Sequence, residues 1–484
     1  TVAEGTFNLF VDNPSGVDVR NMVYRMRLVS VEGKTFFFHG FKKVDDSSIL
    51  QLWPQTTTLY VTVYEGADET GPVYGQGILH IEPLDFARQM TTMKVINAPD
   101  LKTQVEGMAR FGTFFAGVLF DAYGGVFVPE TYFNPEAQPR KKRPLRVGPP
   151  ELHPFRTSDG VELLLTRYQG GTRGPVLLVH GAGVSSGIFS TDLPDTNLVE
   201  YLYANQFDVW LLDFRVSIAL PASQQQSNGD QIAAIDHPEA VAMVRKITGA
   251  ETIQAVVHCY GSNTFFMSML AGLEGVRSIV CSQVATNLLA GTSARIKSGL
   301  HLPNLLDALG IESLTAYVTA DSGWKSHLFD NVLRLAPAPH GQECHSPVCH
   351  RITFLYSLLY QHEQLGQRIH DNLHELFGVG NISTFEHLGL MVRDKQVVTH
   401  DGKDSYMPHL ERLALPIRFV HGAENRCYLP DSTKLTYDLL CAKNGSGLYD
   451  RHVIPGYGHI DCMFGENAAR DIYPLILEHL EKTL

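Results

Sequence analysis

The segment Val257-His258-Cys259-Tyr260-Gly261 contains the residue of this chain best placed to act as a nucleophile. A β-branched run at 252–257 precedes it, and an apolar run at 263–270 follows. A strand, a tight turn of small residues and a helix would raise the turn residue above a sheet. The helix N-terminus would then face the sulfur, so we expect a lowered thiol pKa at Cys259. A structural cysteine at a strand end is the alternative.

A second loop carries residues suited to stabilising an oxyanion. The apolar strand predicted at 176–179 runs into His180-Gly181-Ala182-Gly183. A backbone N–H in such a loop, together with the N–H that follows a nucleophile, can bind the negative oxygen of a tetrahedral intermediate. We therefore predict that the oxyanion donors are the amides of Ala182 and Tyr260.

The predicted general base is His459, which lies 200 residues after Cys259. It stands in a glycine-flanked loop, between a β-like run and the closing helix predicted at 468–484. A histidine in hydrogen-bond reach of a thiol can take its proton and later activate water.

The residue that orients this histidine is expected just after the strand predicted at 417–420. Asn425 is the first candidate, with its neighbour Glu424 and the more distant Asp461 as alternatives. An asparagine carbonyl oxygen can accept the imidazole N–H and so fix the tautomer, but it carries no charge. A thiol is more acidic than a hydroxyl and needs less help from a charged partner.

From about Leu152 to Leu484 the chain resembles an α/β-hydrolase of the lysosomal acid lipase type. The matching segments are Thr-Ser-Asp-Gly-Val-Glu-Leu at 157–163, the His-Gly loop at 180, Asn-Gln-Phe-Asp-Val-Trp at 205–210 and Gly-His-Ile-Asp-Cys-Met-Phe-Gly at 458–465. The resemblance implies hydrolysis of apolar esters through an acyl-enzyme. Cys259 and Asn425 stand where that family has serine and aspartate. Cysteine nucleophiles on this fold occur in relatives that resemble dienelactone hydrolases and bile-acid acyltransferases.

Composition limits the other possibilities. The 484 residues carry 51 acidic and 39 basic side chains, a formal net charge of −12, which argues against nucleic acid as a partner. No apolar run reaches the roughly 20 residues of a membrane span. The chain starts at Thr1 without a methionine or a signal-peptide pattern, which indicates a processed product or a fragment, so its targeting cannot be read. The localisation is left as unknown, with a soluble, cytoplasmic protein favoured.

No cofactor and no metal are expected. The seven cysteines are too few and too scattered for a disulfide framework. The pairs Cys344-His345 and Cys349-His350 match no common zinc spacing, and no second pair at such spacing is evident.

The chain is predicted to have three parts. Residues 1–130 form a β-rich, sandwich-like accessory domain, with strands at 22–29, 34–38, 58–64 and 77–81 and a helix at 101–120. Residues 131–150 form a proline-rich linker whose basic cluster, Arg140 to Arg143, is solvated. Residues 151–484 form the α/β-hydrolase domain. The whole chain also weakly resembles the C-terminal part of fusion proteins that begin with a cholesterol-oxidase-like flavin module, which implies association with a flavin-dependent oxidase.

An insertion at about 288–409 is predicted to be a helical cap over the site. Helices are expected at 302–309, 352–361 and 369–377, and apolar residues between Phe354 and Leu359 suit either a pocket lid or packing on the core.

The sequence thus predicts a cysteine-dependent hydrolase of an ester, thioester or lactone with an apolar moiety. Two alternatives remain. An acyltransferase would use the same Cys259 and His459, because thioesters react with amines more readily than with water. A catalytically inactive hydrolase fold would instead bind a partner oxidase.

Overall fold

A computed structural model describes residues 2–12, 19–45, 58–80, 139–291, 342, 344, 346–378 and 382–484. The chain divides into two compact units, each described here by itself.

The N-terminal unit contains an antiparallel meander of five strands in sequence order. They are β1 (Val2–Asp12), β2 (Val19–Val29), β3 (Thr35–Asp45), β4 (Thr58–Glu65) and β5 (Val73–His80). The four predicted strands correspond to β2 to β5, whereas β1 was not predicted. Its Gly5 interrupts the alternation of side chains, and a Cβ there would lie 2.9 Å from Met26 Cγ on β2. The described strands form one antiparallel sheet, which agrees with the β-rich fold predicted for this part of the chain. The helix predicted at 101–120 lies outside the described residues.

The second unit is built on an eight-stranded sheet with the order β6-β7-β9-β8-β10-β11-β12-β13. The strands are β6 (Glu151–Arg156), β7 (Glu162–Gln169), β8 (Arg173–Val179), β9 (Phe207–Asp213), β10 (Ile253–His258), β11 (Val276–Ser282), β12 (Ile417–Gly422) and β13 (Tyr449–Ile454). The strand β7 is antiparallel to both neighbours, and β9 to β13 run parallel with β8. This order and these directions are those of the α/β-hydrolase fold, which confirms the predicted fold class.

Helices flank this sheet. The described α-helices are Gly187–Ser190, Leu198–Ala204, Gly229–Gln231, His237–Thr248, Cys259–Ala271, Pro347–Tyr356, His362–Asp371, Ile382–Asp394, Asp431–Asn444, Asp461–Phe464, Ala468–Asp471 and Tyr473–Lys482. A π-helical turn spans Ile232–Asp236, and 3-10 turns span Pro221–Gln224, Leu373–Glu375, Met407–Leu413 and Ser446–Leu448. The central strands are buried on both faces, so their sequences are nearly continuous apolar runs. None of the described helices is long and apolar enough to cross a membrane.

The insertion after β11 is helical where it is described, but its helices end earlier than predicted. The helix Pro347–Tyr356 stops because Ser357 takes φ 72° and ψ −175°, which no helix can continue. The next helix ends at Asp371, where a 3-10 turn follows. The helix Ile382–Asp394 was not predicted, and the one predicted at 302–309 lies outside the described residues.

The basic segment before the hydrolase domain is docked and not solvated. Arg140 donates to both oxygens of Asp192, at 2.7 and 2.6 Å, and to both oxygens of Glu375, at 2.8 and 2.9 Å. Arg143 donates to both oxygens of Glu200, at 2.6 and 2.9 Å. The prediction of a solvated cluster is therefore wrong at Arg140 and Arg143. Their partners are carboxylates 52 to 235 residues away in the chain, and local sequence does not reveal them.

Candidate active site

Cys259 lies on a sharp turn between a buried strand and a helix. The strand β10 ends at His258, and the helix Cys259–Ala271 starts with Cys259 itself. Cys259 has φ 56°, in the left-handed region that residues with a Cβ rarely occupy. Two glycines allow this turn to pack. A Cβ on Gly181 would lie 2.7 Å from Cys259 Cβ, and one on Gly261 would lie 2.8 Å from Val179 Cγ1. A strained residue held by such close packing is typical of a functional turn.

The backbone N–H groups of Ala182 and Tyr260 lie against the Cys259 sulfur and act to lower its pKa. The loop that carries Ala182 is held by Asp213, which accepts from the backbone N–H of Ser186 at 2.9 Å and from its hydroxyl at 2.6 Å. The two residues predicted to form an oxyanion hole are thus brought to the predicted nucleophile.

The thiol itself does not have the predicted acidity. Desolvation by burial raises the pKa of Cys259 to about 12, although the two backbone N–H groups act to lower it. Burial disfavours a thiolate more than two neutral donors and a helix N-terminus favour it. The expectation of a lowered thiol pKa is therefore wrong, and Cys259 is a neutral thiol at pH 7.

His459 lies beside this thiol. The Cys259 sulfur and one ring nitrogen each of His258 and His459 all lie within 4.8 Å of one another. The rings of His258 and His459 are 4.9 Å apart between centroids. Burial, and then the neighbouring histidines, lower the pKa of His459 well below its usual value. The pair is consequently a neutral imidazole beside a neutral thiol, and not an ion pair.

Asn425 contacts His459 through its amide nitrogen, whereas the sequence predicted a contact through its carbonyl oxygen. Asn425 Oδ1 accepts from the backbone N–H groups of Cys427 and Tyr428, each at 3.0 Å. These two donors fix the orientation of the amide, since an amide nitrogen cannot accept. Asn425 Nδ2 therefore faces His459 Nδ1 at 3.0 Å and donates also to Gln283 Oε1 at 2.9 Å.

This orientation determines the imidazole tautomer. Nδ1 of His459 must accept the hydrogen bond from Asn425, so the ring proton lies on Nε2. Nε2 is buried and makes no hydrogen bond to any residue that the structure describes. An Nε2 that already carries a proton cannot take one from the thiol. The prediction that the asparagine carbonyl accepts the imidazole N–H is wrong for this arrangement.

The two alternatives to Asn425 lie elsewhere. Glu424 is half-buried and pairs with Arg426 at 3.9 Å. Asp461 is buried, and its Oδ2 accepts from the backbone N–H groups of Gln361 and Gly458, at 2.9 and 2.8 Å. Asp461 therefore joins the histidine loop to the segment after the helix Pro347–Tyr356, and does not bind the His459 ring.

Tyr356 is a residue of the site whose role the sequence did not reveal, because it belongs to a run interpreted only as apolar. Its hydroxyl packs directly on Gly183, next to the Ala182 amide, since a Cβ at Gly183 would overlap it. The hydroxyl is buried without a hydrogen bond to a described residue. Burial, and then the proximity of Cys259, raise the pKa of Tyr356. The structure thus places a neutral O–H group at the edge of the predicted oxyanion hole.

The trio of His258, Cys259 and His459 is a poor metal site despite its short distances. A histidine that binds a metal through one nitrogen normally donates a hydrogen bond from the other. Nδ1 of His459 instead receives a hydrogen bond from Asn425. The arrangement suits acyl chemistry at sulfur better than metal binding.

The sheet order and the strand–turn–helix at Cys259 are those of an α/β-hydrolase fold. No family model matches the chain, and no curated protein matches it significantly. Among solved structures, it is similar to an esterase of Pyrococcus furiosus, Pf2001, at 11% identity over 73% of this chain and 99% of that one, with a TM-score of 0.41. A monoacylglycerol lipase of Paleococcus ferrophilus is 15% identical over 66% of this chain and 100% of that one, with a TM-score of 0.41.

DcsB, solved in complex with a substrate analogue, is 13% identical over 69% of this chain and 100% of that one, with a TM-score of 0.42. All three identities are below 25%, so the function of this chain is inferred from its own residues.

Proposed function

We propose that this protein is an acyl-transfer enzyme that hydrolyses an ester, thioester or lactone with an apolar moiety through an acyl group on Cys259. The observation that carries the proposal is the convergence of the Ala182 and Tyr260 amides on the sulfur of a residue held at φ 56°. A cysteine that only packs a strand end would need neither the strained backbone nor two amides directed at it.

In the proposed reaction the Cys259 sulfur attacks the carbonyl carbon, and the π electrons of the carbonyl move onto its oxygen. The Ala182 and Tyr260 amides hold that oxyanion, and the Tyr356 hydroxyl is a third donor beside them. When the tetrahedral intermediate collapses, the bond to the alcohol or thiol breaks, that group leaves with the proton that His459 took from the Cys259 thiol, and the acyl group stays on sulfur. Water activated by His459 then releases the acid and restores the thiol.

Removal of the proton from the Cys259 thiol is the difficult step. His459 can accept it at Nε2 only when its own proton is on Nδ1 and an acceptor faces Nδ1. In the structure Nδ1 faces the Asn425 amide nitrogen. We infer that the competent state requires the Asn425 side chain to turn its amide, with loss of its bonds to the Cys427 and Tyr428 N–H groups. The resting enzyme is accordingly expected to acylate slowly.

An apolar acyl or alcohol group suits the surroundings of the site. The Tyr356 ring lies 6.4 Å from that of Phe377 and 5.5 Å from that of Phe385, between centroids. These rings lie on elements of the insertion after β11 and place aromatic surface beside the oxyanion loop. Each methylene buried there would contribute about 0.8 kcal/mol to binding.

The experiment is intact-mass detection of an acyl adduct during incubation with aryl esters and acyl thioesters of increasing chain length. The proposal expects one acyl group per chain on Cys259, faster for medium-length apolar groups than for acetyl. Cys259→Ala should form no adduct, and Cys441→Ala, a cysteine outside the site, should behave as the wild type. Product that appears only with an added amine, alcohol or thiol would assign an acyltransferase.

A second candidate function is an inactive hydrolase fold that binds a partner, such as a flavin-dependent oxidase. The high thiol pKa and the Asn425 amide orientation favour it, because both oppose formation of a thiolate. Absence of any adduct in the wild type and in Asn425→Asp would support this candidate against the enzyme.

A further inference from the structure

A second cluster of metal-ligand side chains lies on two consecutive helices of the insertion. The Cys349 sulfur and one ring nitrogen each of His362 and His370 all lie within 4.8 Å of one another. Cys349 is in the first turns of the helix Pro347–Tyr356, and both histidines are on the helix His362–Asp371. None of the three takes part in the proposed reaction at Cys259.

The distances fit a tetrahedral ion. Cys349 Sγ lies 3.5 Å from His362 Nε2. With metal–sulfur and metal–nitrogen bonds of about 2.3 and 2.0–2.1 Å, a tetrahedral angle separates S and N by about 3.5 Å. The rings of His362 and His370 lie 4.9 Å apart between centroids and are inclined by 51°, so both can direct a nitrogen at one point.

His370 provides an independent sign of a missing ligand. Its Nε2 is buried and makes no hydrogen bond to any residue that the structure describes. Its Nδ1 lies 3.9 Å from the Asp371 carboxylate, so the neighbouring group is an acceptor and does not oppose metal binding through Nε2. In His459, by contrast, Nδ1 faces a donor.

Cys349 lies in an environment that suits a bound thiolate. The Tyr360 hydroxyl donates to its sulfur at 3.0 Å. Its backbone N–H is bonded to the side chain of Ser346, the N-cap of its helix, at 3.3 Å. A hydroxyl donor and a helix N-terminus both stabilise negative charge on sulfur.

We propose that Cys349, His362 and His370 bind one Zn²⁺ ion, with water as the fourth ligand of a tetrahedral site. Binding would release one proton from the Cys349 thiol if it was protonated beforehand. Seven residues separate the two histidines, which lies outside the common zinc spacing of about three to five, so the sequence alone gave no reason to join them.

The ion would have a structural role next to the active site. The two helices it joins are separated by residues 357–361, and the Leu359 carbonyl accepts from the backbone N–H groups of His459 and Ile460, at 2.7 and 2.8 Å. Tyr356, on the first helix, touches the oxyanion loop. Zinc at this site would hold both the histidine loop and Tyr356 in place.

The test begins with the wild-type chain. Elemental analysis of protein purified without chelator should find about one zinc per chain. Metal-free protein titrated with Co²⁺ should develop a thiolate-to-cobalt charge-transfer band and tetrahedral d–d absorption, both lost on adding one equivalent of Zn²⁺. A metal-free preparation that shows neither band at micromolar protein and excess Co²⁺ would overturn the proposal, whatever the variants do.

Variants assign the site. Cys349→Ser should abolish the thiolate-to-cobalt charge-transfer band, and His370→Gln should lower the Co²⁺ affinity at least a hundredfold. Tyr360→Phe, which removes only the hydroxyl, should weaken affinity about 10- to 100-fold. The matched controls are Cys441→Ser and His452→Gln, whose side chains lie outside the cluster.

The same titration of Cys259→Ala separates this inference from the proposed function. Full cobalt binding is expected, because the catalytic cysteine is not a ligand. Loss of the band in Cys259→Ala with retention in Cys349→Ser would place the metal at His258, Cys259 and His459 and refute the assignment.

Discussion

At the scale of single residues, the decisive group is the amide of Asn425. Two backbone N–H groups hold its oxygen, so its nitrogen faces His459 and holds the imidazole proton on the side of the thiol. The sequence led to the opposite prediction, because an asparagine side chain can present either its oxygen or its nitrogen to a neighbour. Under the proposed function, proton transfer from Cys259 to His459 therefore requires a rotation of about 180° in the Asn425 amide.

Asn425→Asp is expected to accelerate acylation of Cys259. One carboxylate oxygen would keep the two backbone bonds, and the other would accept from His459 Nδ1, so that Nε2 becomes the base. The Gln283 amide must also turn over, so that its Nε2 donates to the new carboxylate where its Oε1 now accepts from Asn425. We expect a gain of about tenfold or more, since the opposite replacement in a serine triad costs about 10⁴-fold. The measurement is the rate of adduct formation by rapid-quench mass spectrometry.

Asn425→Ala is the control, and it should acylate no faster than the wild type. If the aspartate variant is also no faster, and nitrogen NMR shows the same His459 tautomer in both proteins, the tautomer argument is wrong.

Alkylation of Cys259 by iodoacetamide should be slow at pH 7 and rise steeply with pH. Only the thiolate reacts, and with a pKa of about 12 the thiolate fraction grows about tenfold per pH unit across pH 7–10. Peptide mapping after timed labelling at several pH values gives the rate. Labelling at pH 7 as fast as that of a small free thiol would show that the thiol is not desolvated.

At the scale of elements, Asp461 connects the histidine loop to the insertion. Burial raises the pKa of its carboxyl to about 7, although backbone N–H groups, including those of Gln361 and Gly458, act to lower it. In the unfolded chain the carboxyl titrates near 4. Between these values the folded protein binds the proton and the unfolded chain does not. Stability from this group is therefore greatest below about pH 4 and falls as pH rises to about 7.

Asp461→Asn should remove this pH dependence while its side-chain oxygen still accepts from the two N–H groups. The free energy of unfolding of the variant, minus that of the wild type, should rise between pH 4 and 7, in total on the order of 3 kcal/mol. Urea denaturation at one-unit pH intervals measures it. The exposed Asp404→Asn is the control, and a difference for Asp461→Asn that stays constant with pH would contradict the prediction.

At the scale of the whole molecule, the basic segment before β6 ties together distant parts of the chain. Arg143 neutralises Glu200, which is 2% exposed and also accepts from the Arg146 backbone N–H at 2.7 Å. Burial alone would raise the pKa of Glu200, yet the arginine bonds and backbone N–H groups outweigh it and lower the pKa to about 2. A buried carboxylate held in this way is costly to leave without its partner.

Arg143→Gln is expected to destabilise the protein by about 2–4 kcal/mol, because it leaves the buried Glu200 charge short of its main partner. Thermal and urea unfolding measure the loss. The control is Arg156→Gln, since Arg156 and Glu162 are exposed and lie 3.6 Å apart, and it should change stability by less than about 0.5 kcal/mol. Equal losses in both variants would mean that burial of Glu200 adds nothing.

The sequence by itself determined the α/β-hydrolase fold, most of its strands and the residues that meet at the candidate site. Periodicity, glycines and the order of motifs along the chain are local properties, and they place Cys259, Ala182, Tyr260, His459 and Asn425 on neighbouring strand ends. Only the tertiary structure decided the protonation of the site, because burial raises the pKa of Cys259 and two backbone donors orient Asn425. It also decided the docking of Arg143 and the approach of Cys349 to His362 and His370. Desolvation, amide orientation and contacts between residues distant in the chain arise from packing, and no short segment of sequence encodes them.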